Sequence, residues 1–209
     1  LPLVFTSLLT GILTGWIRIG WNFPAVGSIG DHGAFMIGGF LGTLICLERT
    51  VSNPNKIALM VPAVNSLSIV SLLAGYSTAS YICMLLGGLG LTLVYIKLYS
   101  DHKKFFILVL MCGALCYVIG NLMLIKTSFY PSAVMWWIAF LFFTITGERL
   151  EFSRYLNVSD LKQAILVSLL VLFIAGILSP FHSFGGYILG LSMTGAALWL
   201  LKYDMAKHS

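Results

Sequence analysis

Residues 31–51 read DHGAFMIGGFLGTLICLERTV, with Asp31-His32 at one end, Glu48-Arg49 at the other and no charge between. At about 1.5 Å per residue this stretch is about 30 Å long as a helix, the thickness of a hydrocarbon core. The segment therefore reads as a membrane-spanning helix. The rest of the chain agrees: of 209 residues, 59% are hydrophobic and only 9% charged, a balance that argues against a soluble domain of this length. Apolar runs of similar length recur throughout, with Gly and Pro inside them as membrane helices permit. The fold class expected is all-α, a polytopic membrane protein of eight transmembrane helices. Their expected spans are Leu3 to Trp21, Asp31 to Val51, Ile57 to Tyr76, Ser80 to Tyr99, Phe105 to Ile125, Ser132 to Phe152, Leu161 to Pro180 and Phe184 to Tyr203.

Charge supports the count of eight. With eight spans, Arg49, Lys56, Lys103, Lys104, Arg149, Arg154, Lys162 and Lys207 share the face that holds the C-terminus, whereas the other face has Arg18 and Lys126. The positive-inside rule then places both termini in the cytoplasm and the chain in the inner (plasma) membrane. Basic residues spread over several loops form no nucleic-acid footprint, so the expected contact is the lipid bilayer. The first residues carry no basic n-region, and no cleavable signal peptide is expected. Cys46, Cys83, Cys112 and Cys116 lie inside apolar runs, where thiols pack as small hydrophobes and imply no disulfide framework.

The end of the opening stretch has an echo. FLGTLICLERTV (residues 40–51) and LFFTITGERLEF (residues 141–152) both run through Thr and Ile into Glu-Arg. Looser matches pair helices 1 and 5, 3 and 7, and 4 and 8, so residues 1–100 and 101–209 read as two four-helix repeats. An even number of spans per repeat makes them parallel. Charged side chains in a span need partners, and Glu48, Arg49, Glu148 and Arg149 are expected to pair between the repeats at the cytoplasmic end. A proton or cation site there is the functional alternative.

At the other end, His32, Met36, Gly39, Thr43 and Cys46 follow steps of four, three, four and three, one stripe of a regular helix. HGAFMIGGF (residues 32–40) resembles the HGxxMI motif in the second helix of haem-copper oxidase subunit I, whose His is an axial ligand of the low-spin haem. It is also similar to the HxxxMxxGF pattern near the start of NnrS proteins, polytopic membrane proteins linked to nitric oxide metabolism and described as haem- and copper-containing. The likeness covers one helix in eight. It implies His32 as an axial ligand, with Gly33 and Met36 as its neighbours.

The chain has four histidines, His32, His102, His182 and His208, too few in suitable places for a haem-copper binuclear centre. His182, in the loop SPFHSFGG (residues 179–186), falls on the same outer side as His32. Together they are expected to ligate one haem b, with Gly33, Gly38 and Gly39 making room and Arg18 meeting a propionate or pairing with Asp31. Three functions stand open. The first is a haem-binding protein handling electrons or a diatomic gas, with a redox or membrane-protein partner. The second is a transporter or channel for a small solute, proton or cation using Glu48 and Glu148. The third is a non-catalytic membrane subunit or assembly factor.

Overall fold

The computed structural model describes residues 1–22, 29–51, 53, 55–152, 160–179 and 184–203. Among these every regular element is a helix. Helix α1 spans Pro2–Arg18; a π-helix, Ala34–Gly42, runs into α2, Thr43–Val51. A 3-10 turn, Lys56–Leu59, opens α3, Met60–Leu73, and α4 follows at Ser77–His102. The second half has α5 at Phe105–Thr127, α6 at Tyr130–Phe152, α7 at Asp160–Leu178 and α8 at Gly186–Tyr203.

Six stretches are long and apolar enough to cross a membrane: 34–51, 56–73, 77–102, 105–127, 130–152 and 161–178. α1 and α8 are not among them. Helix α4 runs longer than expected from sequence, and His102, expected in a loop, is its last residue. Lys103, in the left-handed region at φ 47°, then turns the chain into α5; Ser128, at φ 50°, does the same between α5 and α6. These short connections make neighbouring helices antiparallel. The starts of α4 and α6 therefore share one end of the bundle with His32. The ends of α2, α4 and α6 share the other.

Glycine contacts set the packing. On α5, Gly113 lies where a Cβ would be 3.2 Å from the Phe140 carbonyl, and on α6 Gly147 is covered by Leu110. The two backbones approach closely, as small residues allow in membrane bundles, and Tyr117 stacks on Phe140 with ring centroids 4.7 Å apart. α7 and α8 form a hairpin on the side of this body. Phe173 meets Phe142 at 4.6 Å, and the Trp199 indole donates to the Lys162 carbonyl at 2.9 Å. Between α5, α6 and α7 an apolar cleft of about 590 Å³ remains, with Cys112 and Cys116 on its wall.

The π-helix is the chief departure from a regular span. Its turns are wider than those of an α-helix, which leaves carbonyls open to outside donors. Asn65 Nδ2 donates to Gly38 O at 2.9 Å and to Thr43 Oγ1 at 2.8 Å, and Ser7 Oγ donates to Phe35 O at 2.8 Å. Tyr117 donates to Asn65 Oδ1 at 3.2 Å. The stripe from His32 to Cys46 is consequently not one face. His32 and Met36 lie against α1, Gly39 against Ser7 and Ile69, Thr43 against Asn65, and Cys46 near the Gly87 carbonyl of α4.

Candidate functional site

At one end of the bundle, the His32 imidazole lies over Gly15 of α1, and its Nδ1 is 2.8 Å from the Gly11 carbonyl. A carbonyl only accepts, so Nδ1 carries a proton there and Nε2 is the nitrogen left for another partner. Met36 covers Gly11, and the Trp137 ring sits 3.4 Å from where a Cβ on Gly33 would stand. Next to His32, buried Asp31 accepts from the Tyr130 hydroxyl, which in turn accepts from Tyr81 at 3.0 Å. Asp31 thus joins the start of the second span to α4 and α6. From the sequence it stood as an alternative partner for Arg18. Arg18 ends α1 and is exposed. His182 lies outside the described residues, as do His208 and Arg154.

The glycines expected to open a slot for a macrocycle do not leave one. Met84 fills the space over Gly38, while Ser7 and Ile69 fill that over Gly39. Those side chains could be read only from the fold, because each comes from another helix. Trp137 packs on Gly33. It is fully buried, and its indole donates to Asn121 Oδ1 at 3.1 Å. Trp16, Trp21, Phe129 and Phe184 are exposed, as belt residues are.

At the opposite end Arg49 reaches from α2 to α6. Its Nη1 is 2.7 Å from Glu151 Oε2 and its Nη2 is 3.5 Å from Glu148 Oε1, with the arginine side chain 12% exposed and the two glutamates 29% and 31%. Glu48 stands within electrostatic range of Glu148 and Arg49, and Glu48 and Arg149 are also partnered. One guanidinium therefore serves two carboxylates one helical turn apart. Glu151 had no role in the sequence reading, although its position three residues after Glu148 puts it on the same face. Replacing Arg49 by glutamine is expected to lower stability by about 1–2 kcal/mol, since it strands two half-buried carboxylates. A double-mutant cycle with Glu151→Gln, read by thermal unfolding in detergent, measures that coupling; additive effects would show that the pair contributes nothing.

Among the described residues no group of three or more His, Cys, Asp or Glu is placed to hold a metal ion, and that includes Cys112 and Cys116. The fold and these two polar ends define a polytopic helical membrane protein. The chain belongs to a family described as a domain of unknown function, DUF8744, whose model matches residues 1–209. No curated protein and no solved structure matches it.

Proposed function

We propose that this chain is an integral inner-membrane protein of eight spans, in two parallel four-helix halves with both termini cytoplasmic, that holds a haem b at its outer end through His32. The observation that supports this reading is the hydrogen bond from His32 Nδ1 to the Gly11 carbonyl. Histidines that bind metals are oriented by such a bond, which fixes the ring and presents Nε2. Haem supplies one-electron chemistry or a site for a diatomic gas. The residues around His32 fit one axial ligand. They do not fit a macrocycle lying along Gly38 and Gly39, where Met84, Ser7 and Ile69 already pack, so the group is assigned to the outer edge of the second span, with His182 as second ligand and Arg18 as cation for a propionate.

Absorption spectra of detergent-purified protein from haem-supplied cells, oxidised and dithionite-reduced, test this. A Soret band with sharp reduced α and β bands is expected, absent in His32→Ala and kept in His102→Ala, whose side chain is at the far end of the bundle. The same spectrum in folded His32→Ala protein would overturn the assignment.

A further inference from the structure

The apolar cleft between α5, α6 and α7 has no part in the haem reading. Among the described residues its wall carries no hydroxyl, amide or charged side chain. It is elongated along the bundle: Phe105 and Ile119 both line it, and between them α5 advances about 21 Å at about 1.5 Å per residue. Spread over that length, a volume of about 590 Å³ leaves a cross-section of roughly 28 Å², narrow in the way of an extended hydrocarbon chain. The cleft is not sealed. Leu115, Val171 and Leu178 on its wall are 41%, 63% and 70% exposed, so it opens sideways through a face turned to the bilayer. Water does not fill an apolar space of this kind, and an empty one forfeits the dispersion contacts of its whole lining. The surrounding medium supplies the filler that remains, an acyl chain.

One end of the cleft is charged. Phe105 is the first residue of α5, and Lys103 and Lys104, immediately before it, are exposed and enter no ion pair among the described residues. α5 also begins without a side-chain cap and without an acidic residue in its first turn, which leaves the positive end of its dipole uncompensated. Lys162 shares this end of the bundle but lies over the Tyr203 ring, 4.8 Å from its centroid. Two free lysines beside a helix N-terminus outweigh Asp101, the acidic residue nearest in sequence, and suit a phosphate at the depth of lipid headgroups.

We propose that the cleft binds one anionic phospholipid, with an acyl chain along α5 from Phe105 towards Ile119 and the phosphate at Lys103 and Lys104. The lipid fills the gap between α5 and α7, on which Phe173 is stacked against Phe142 of α6. Headgroup charge selects the lipid, whereas the chain is recognised only as hydrocarbon. The site is independent of the haem assignment.

Native mass spectrometry of the delipidated full chain in detergent tests this, with phosphatidylglycerol or phosphatidylcholine of the same acyl chains added. One phosphatidylglycerol per chain is expected to survive removal of the detergent, with about tenfold weaker binding of phosphatidylcholine. Replacing both lysines, Lys103→Gln with Lys104→Gln on an exposed turn, is expected to erase that preference. Cys112→Phe, which puts a ring into the cleft, is expected to lose both lipids, whereas Leu93→Phe, at an exposed position of α4 outside the cleft, keeps them. Thermal unfolding checks that each variant is folded, and the lysine pair decides the matter if Cys112→Phe is not. Equal binding of the two lipids by the wild-type chain would overturn the proposal. So would a preference for phosphatidylglycerol that outlasts the loss of both lysines, or unchanged lipid binding by folded Cys112→Phe protein.

Discussion

Asn65→Leu is expected to lower the unfolding free energy by about 3 kcal/mol or more, among the largest effects of any single substitution in the chain. Asn65 is fully buried, its amide donates to Gly38 O and Thr43 Oγ1, and its carbonyl accepts from Tyr117. Leucine fills the volume but leaves a π-helical carbonyl, a threonine hydroxyl and a tyrosine hydroxyl short of a partner in a medium without water. Thermal unfolding in detergent reads the loss, and an unchanged midpoint would show that the π-helix does not depend on this side chain. Asn65→Ser, which keeps a donor but not its reach, is expected to fall between the two.

Gly87→Ala is expected to be comparably damaging for the opposite reason. A Cβ on Gly87 would overlap Asn65 Oδ1 and stand 2.6 Å from its Cβ, and Asn65 is tied by its hydrogen bonds and cannot swing away. Overpacking of this kind costs about 1–3 kcal/mol even where neighbours can adjust. Gly190→Ala is the matched control, because nothing lies within 4 Å of that position; it is expected to be neutral or slightly stabilising through its higher helix propensity. Equal midpoints for the two variants would mean that the close approach of α3 and α4 is not under the constraint described.

These two positions also show what the sequence could and could not convey. Uninterrupted apolar runs sufficed for an all-helical membrane chain, because a bilayer leaves the backbone few alternatives. The π-helix was not legible. Its cause lies in donors from α1, α3 and α5 that satisfy carbonyls of residues 35 and 38, and a periodicity of four and three describes only the regular helix that those donors displace. The repeated Glu-Arg pairs drew attention to the end of the bundle where Arg49 lies. Their cross-helix geometry, with Arg49 between Glu148 and Glu151, depends on how α2 and α6 approach.

At the opposite end the histidine stood out because an imidazole is rare in so apolar a segment. Tyr81 and Tyr130 did not, since tyrosine at helix ends is ordinary in membrane proteins. Only the fold brings their hydroxyls into line with Asp31. Gly33, Gly38 and Gly39 read as space, yet they are contact points for Trp137, Met84 and Ser7. A small residue in a helix signals close approach without saying what approaches.

The haem content of purified wild-type protein from haem-supplied cells, measured against protein concentration by its alkaline pyridine spectrum, tests the proposed function most directly. About one haem b per chain is the expected result for a site built on His32. Folded, monodisperse protein containing no haem would contradict it.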